Sequence, residues 1–325
     1  QLAVENGCDY LVHSVDDELL TDDFVQLLKE KKTILCPTLI VHDGYVNTFG
    51  QHLHMSHHEQ RMGDPIQLGS LLDLKHLPDT ALTNRYYRNI NRPEKMADTK
   101  AGNSIMLANL KKLSDAGVII ATGTDAGNIG TLHASSYLTE ILAMQSSGIS
   151  NWQILEASTI NGAKVLRKEK EFGTVTKGKS ANLILVDADP AADLQNITKI
   201  YRVINKGVVI DPDTLIPVSP VALAQQQLNA YNLRDIDAFL EPYADDIEIY
   251  NYPNSLLYKG KSEMKFDYSA LFESAPDLHC ELAGRTVEGS IVTDQEIVRF
   301  GNRRIDANVI YHTGNGKIQK VYFKQ

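Results

Sequence analysis

The stretch Val118-Ile-Ile-Ala-Thr-Gly-Thr-Asp-Ala-Gly127 constrains the fold more than any other part of the chain. Four apolar or small residues lead to Gly123, Thr124 and Asp125, and another glycine follows at once. A continuous apolar run bounded by turn residues describes a strand buried on both faces, as in a parallel sheet. Asp125 stands where that strand ends. Loops at the C-terminal ends of such strands build active sites, which makes the carboxylate a catalytic candidate. An Asp in that place also serves to cap the following helix, and the stretch alone leaves both roles open.

The flanking segments repeat the pattern. Asp9-Tyr-Leu-Val-His13-Ser reads as a short strand with His13 at its end, and Thr21 to Lys32 carries Phe24, Leu27 and Leu28 at helical spacing. Thr33 to Val41 reads as a second buried strand, and Asp98 to Gly117 as the helix that feeds the Val118 strand. Strand, helix and strand in this rhythm predict βαβ units and a parallel sheet. Residues 42–95 break the rhythm with a polar excursion holding His42, His52, His54, His57, His58 and His76. An insertion of that length is expected to form a lid or a long loop.

Further helices are predicted over about 134–147 and 151–168, and strands follow near 182–187, 200–203 and 208–210. Asp211-Pro-Asp213 then reads as a linker. Beyond it, Ser219-Pro220 opens a helix with a cap and a proline at its first position. Alternating strands are predicted over 277–287, 290–300, 303–312 and 317–323, the last two joined through Asn315-Gly316. Helices followed by an antiparallel meander make an α+β layout. At 325 residues the chain is too long for one ordinary core. Two domains are expected, over 1–213 and 217–325.

Charge and cysteine content narrow the function. A net charge of −9 argues against nucleic acid or an anionic membrane as partner, since both select clustered Lys and Arg. Cys8, Cys36 and Cys280 are scattered and make neither a disulfide framework nor a CxxC metal site. No stretch approaches the ~20 apolar residues of a membrane span. The chain begins at Gln1 within what reads as a helix-to-strand unit, so the expectation is a piece of something longer.

His13 and Asp125 close separate predicted strands with one strand between them. An imidazole and a carboxylate so placed can share a metal, although two ligands do not complete a site. Here Val12-His13-Ser, Cys36-Pro-Thr-Leu39 and Ala121-Thr-Gly-Thr-Asp125-Ala-Gly127 resemble the closing strands of the amidohydrolase superfamily, in its imidazolonepropionase-like and prolidase-like branch. Leu155-Glu-Ala-Ser-Thr-Ile-Asn-Gly-Ala163 resembles its penultimate helix, and Gly173-Thr-Val with Gly178-Lys-Ser-Ala-Asn-Leu the strands returning to its small β-sandwich. The family usually has Asp where this chain has Asn182.

That resemblance implies the last strands of a TIM-type α/β barrel plus part of a β-sandwich. It implies His13 and Asp125 as ligands of a divalent metal, one or two zinc ions in the complete enzyme. It gives Asp125 the further role of proton shuttle in hydrolysing a C–N bond of an amide, cyclic amide or dipeptide. His133, close behind the Asp125 strand, is a weaker candidate for touching substrate, with helix packing the alternative. His52-Leu-His54 lies in the polar excursion and is not read as the family's His-x-His pair. The family's other ligands are not found upstream of His13, so the chain alone is expected to lack a complete site.

Residues from about 217 onward resemble the SnoaL-like, ketosteroid-isomerase-like α+β cones. The resemblance rests on Ala230-Tyr-Asn-Leu-Arg-Asp-Ile-Asp-Ala-Phe239, Tyr243-Ala-Asp-Asp-Ile-Glu-Ile249, Tyr258-Lys-Gly-Lys261 and Gly316-Lys-Ile. The isomerase positions fall near Gln227, Asn251 or Tyr252, and Asn308, none of them a carboxylate. Asp294, Glu296 and Asp306 are expected on the solvated face. The cone is therefore expected to bind a ligand and to form a homodimer, without isomerase chemistry. The opposing reading is a non-catalytic binding or dimerisation protein with a vestigial barrel. A histidine-rich metal-binding protein using residues 42–76 is a third.

Overall fold

The structure, a computed structural model, describes residues 1–77, 80–215 and 218–324. It divides into two compact units: Gln1–His52 with Arg85–Pro217, and Leu53–Asn84 with Val218–Gln325. Residues 53–84, expected as a lid or loop of the first domain, thus group with the second unit.

In chain order the elements begin with α1 (Leu2–Glu5), β1 (Tyr10–Val12), α2 (Asp22–Lys31), β2 (Ile34–Cys36) and α3 (Ile40–Phe49). Next come α4 (His57–Met62) and α5 (Pro65–Leu72), both in the second unit, then α6 (Ala81–Ile90), α7 (Pro93–Asp115) and β3 (Ile119–Ile120). The helices α8 (Ser136–Ser146), α9 (Asn151–Glu156) and α10 (Gly162–Val165) precede β4 (Leu183–Val186), β5 (Ile200–Asn205) and β6 (Val208–Ile210). A wider π turn over Ala157–Asn161 joins α9 to α10.

In the first unit β1, β2 and β3 form a parallel sheet in that order, Tyr10 opposite Ile34 and Ile34 opposite Ile119. Local chemistry sets the connecting helices. The Thr21 side chain accepts from the Phe24 N–H, Asp22 and Asp23 sit at the positive end of α2, and Lys32 closes it in a left-handed conformation. Its face with Val25 and Leu28 packs in one core with Leu35, Leu110, Leu113 and Ile141. The strand expected to reach Val41 stops at Cys36. Pro37 cannot donate to a ladder, Thr38 turns to φ +44°, and α3 begins two residues later. The helix expected from Asp98 starts instead at Pro93, where proline at the first position suits helix entry. Strands β4, β5 and β6 form a separate antiparallel sheet.

The second unit continues with α11 (Pro220–Leu233), α12 (Ile236–Leu240), β7 (Tyr243–Asn251), β8 (Ser255–Lys259), α13 (Lys261–Ser274), β9 (His279–Glu288), β10 (Ile291–Phe300), β11 (Arg303–Gly314) and β12 (Lys317–Lys324). Ser219 and Asp235 cap α11 and α12 by accepting from Ala222 and Ala238. The expected meander is part of a six-stranded mixed sheet, ordered β8-β7-β12-β11-β10-β9, in which β12 runs parallel to β7. Asn315 and Gly316 both take positive φ, as a tight hairpin between β11 and β12 requires. Phe239, Ile247, Met264, Leu278, Val292 and Ile318 form the centre of this core.

Candidate functional site

A non-glycine residue with a left-handed backbone follows each of the three parallel strands, directly after β1, two residues after β2 and five residues after β3. β3 ends at Ile120 rather than at Asp125 as expected. His13 follows β1 at φ +73°, Thr38 follows β2 at +44°, and Asp125 follows β3 at +52°. Such conformations cost on the order of 1 kcal/mol or more and concentrate at functional sites. For β-branched Thr38 the cost is steepest.

The strand ends hold these residues in place. The His13 N–H donates to the Cys36 carbonyl at 2.9 Å, and its ring Nδ1 shares a 2.7 Å hydrogen bond with Thr38 Oγ1. Nε2 is thereby left for another partner, the arrangement that orients ligating histidines. Beyond β3, the Ala121 N–H donates to the Leu35 carbonyl at 2.8 Å and the Thr122 N–H to Ala157 at 3.2 Å. The acceptor of the second bond lies at the start of the π turn, a feature common at functional sites. Asn161, at the end of that turn, donates to the Ile120 carbonyl at 2.9 Å.

The Asp125 loop is tied down through Asn128. The Tyr45 hydroxyl on α3 donates to Asn128 Oδ1 at 2.7 Å, and Asn128 Nδ2 donates to Asp125 Oδ2 at 2.7 Å. A Cβ at Gly44 would stand 2.7 Å from the Ile129 carbonyl oxygen, so glycine is what lets α3 approach the loop. His133 folds back on the same loop, its Nε2 3.5 Å from where a Cβ would stand at Gly127. His13, Asp125 and His133 are all exposed.

Beneath them lies Glu140 of α8, fully buried, whose carboxylate accepts from the Leu39 N–H at 3.0 Å and the Ile40 N–H at 3.1 Å. Burial pushes its acid up to about 7, against the pull of those two donors. Thr38, Tyr45, Asn128 and Glu140 were not singled out in the sequence. Among the described residues, no three His, Cys, Asp or Glu side chains are grouped to hold a metal ion. His13 and Asp125 therefore do not fit a complete metal site by themselves.

The second unit holds a cavity of about 210 Å³, lined by Gln227, Tyr243, Asn251, Cys280, Glu296 and Tyr311 among apolar residues. Here the expected solvated face is corrected. Val292, Asp294 and Glu296 alternate on the buried face of β10; only Asp306, on β11, is exposed. Arg285 Nε and Nη2 each donate to Asp294 at 2.6 Å. Glu296 Oε1 accepts from the Tyr311 hydroxyl at 2.7 Å. Gln227 Nε2 donates to that hydroxyl at 2.9 Å, and the Tyr243 hydroxyl donates to Gln227 Oε1 at 3.1 Å. Gln227 and Asn251 line the cavity as expected, whereas Asn308 is exposed because its neighbours Ala307 and Val309 take the inward places.

Two family models match the chain, one after the other. The SnoaL-like domain family matches residues 224–321. A 5'-deoxyadenosine deaminase of Methanobrevibacter smithii is 24% identical over 166 residues, 44% of this chain and 38% of that protein. An imidazolonepropionase of Shouchella clausii is 32% identical over 96 residues, 30% of this chain and 22% of that protein. A solved Xaa-Pro dipeptidase with bound methionine is 20% identical, covering 64% of this chain and 41% of its own at a TM-score of 0.44. The chain spans between about a fifth and a half of the curated relatives it matches. The amidohydrolase family matches residues 42–210, which hold Asp125 and His133 but not His13. That match covers more than half of the chain, and the chain belongs to the amidohydrolase family.

Proposed function

We propose that the first unit carries part of a site that hydrolyses a C–N bond in a small molecule, such as an amide, a cyclic amide or a dipeptide. The observation that supports this best is that a left-handed residue follows each parallel strand, His13 directly, Thr38 after two residues and Asp125 after five. Asp125 is the base, taking a proton from the attacking water and returning it to the leaving nitrogen. Asn128 holds Asp125 Oδ2 and leaves Oδ1 for that transfer. His13 offers Nε2. A divalent ion, zinc in the first place, would polarise the scissile group, and it requires donors beyond these two residues. His133 touches the substrate from the Asp125 loop. The reading takes 1–213 as one domain, with 53–84 an excursion of it packed among elements of the second unit, and 217–325 as a ligand-holding and dimerising domain.

The test is paramagnetic. With histidine ring carbons labelled, Co²⁺ is added to the chain and line broadening is followed. Broadening first at His13, weakened by Asp125→Asn, is expected. Broadening confined to His42, His52, His54, His57, His58 and His76 would overturn the site in favour of the histidine-rich excursion.

A further inference from the structure

We propose that the cavity of the second unit binds a small organic cation, an alkyl- or arylammonium ion, which pairs with the Glu296 carboxylate inside a cage of aromatic rings. The proposal rests on the ligand-holding reading of this unit and gives that ligand a chemical class.

The hydrogen bonds around Glu296 all run towards it. Tyr243 donates to Gln227, Gln227 to Tyr311, and Tyr311 to Glu296 Oε1. The Cys280 thiol on β9 lines the same cavity beside Glu296 and favours its anion. A chain of donors ending on a carboxylate is arranged for the anion, because a neutral acid must itself find an acceptor. Yet among the described residues no cationic side chain pairs with Glu296. Arg285 attracts it only from a distance, since its guanidinium is committed to Asp294 and, through Nη1 at 2.8 Å, to Gln225. A buried carboxylate that is hydrogen-bonded but lacks a counter-charge leaves one component missing.

The walls suit a cation with an apolar body. Tyr231, Phe239, Tyr243, Tyr268 and Phe323 line the cavity, and ring faces attract an ammonium group. At about 210 Å³ the space lies below the usual range for drug-sized ligands, which points to a single ring or a short alkyl group.

Glu296 is also the group here that titrates near neutrality, being pushed up to about 7 by burial. Burial raises Tyr231, Tyr243, Tyr268, Tyr311 and Cys280, which keeps them neutral. Asp294 is paired with Arg285 through two nitrogens of the guanidinium.

Calorimetry on the full chain tests the proposal, with benzylammonium against benzyl alcohol, a neutral analogue of the same shape. The amine is expected to bind at least about tenfold more tightly at about pH 8, the scale of a desolvated cation–carboxylate and ring contact. Its affinity should fall several-fold on going to about pH 6, where Glu296 takes up a proton while the amine stays charged. Glu296→Gln keeps an oxygen to accept from Tyr311 and should bind both compounds alike. Should that variant fail to fold, the pH dependence of the unaltered chain still decides. Equal affinities for the two compounds in the unaltered chain would overturn the cation while leaving a ligand cavity. Binding of neither would overturn the ligand-holding reading itself.

Discussion

Glu296 accepts from Tyr311 inside the second unit at 2.7 Å, and this bond does not fully offset the burial of its charge. The folded acid is raised from 4.5 to about 7. Between those values the folded state binds more protons than the unfolded one, so stability falls as pH rises. The effect is absent below about pH 4 and complete above about pH 8. At one pKa unit per 1.36 kcal/mol the full cost is about 3 kcal/mol.

Glu296→Gln removes that cost. Urea unfolding at a series of pH values should show the variant gaining on the unaltered chain as pH rises from about 4.5 to about 7. A constant difference across the range would contradict a buried, unpaired acid.

Gly123 faces a different constraint. A Cβ there would lie 2.5 Å from Cys36 Sγ, closer than atoms tolerate. Gly123→Ala should therefore cost about 1–3 kcal/mol, as overpacking does. Cys36→Ala removes the colliding sulfur, so the double variant should recover much of that loss. Strict additivity in the double-mutant cycle would place the strain elsewhere.

Much of the fold was legible in the sequence. The alternation of the apolar runs Tyr10–Val12, Ile34–Cys36 and Ile119–Ile120 with helices pointed to three parallel strands in chain order, of which β2 is fully buried and β1 and β3 only partly. Two features were not. The helices of 53–84 show little apolar period of their own, and Asn229 of α11, for example, donates to the Pro65 carbonyl at 2.7 Å. No local pattern announces such a bond, 164 residues apart in sequence. Glu296 was read as solvated because charge normally is. The signal against that reading was present: Val292, Val298 and Phe300 share its parity on β10, which puts Asp294 and Glu296 on an apolar face. In the first unit, Asp125 is a candidate by its motif, while the turn at Thr38 and the hydrogen bonds of Tyr45 and Asn128 around it are not encoded by spacing.

Asp125→Asn keeps the size of the side chain and removes its basicity. If Asp125 is the base, kcat for C–N hydrolysis should fall at least about 100-fold in any preparation that turns over, with KM little changed. Asn128→Ala frees Asp125 Oδ2 and should lower kcat more modestly, as loss of a positioning contact does. Near-normal turnover of Asp125→Asn would remove the residue from the chemistry.

Glu140 makes the last case, since it joins the core of the first unit to the strand exits. Its two oxygens take the Leu39 and Ile40 N–H groups, the donors left open at the start of α3. Glu140→Ala strands both donors away from water and opens a void in a fully buried place. Each unsatisfied donor costs about 1–3 kcal/mol, so the loss should be several kcal/mol by urea unfolding. Glu140→Gln retains one acceptor but turns an amide N–H₂ towards the second donor. Its loss should be smaller than that of Glu140→Ala, and smallest above about pH 7, where the unaltered Glu140 carries its charge at a cost in burial. α3 also carries Tyr45, which steadies Asn128 and through it Asp125. Hydrogen exchange should therefore quicken in Glu140→Ala at the start of α3 and in the Asp125 loop together. Exchange changed at α3 alone would show that the helix does not hold the loop.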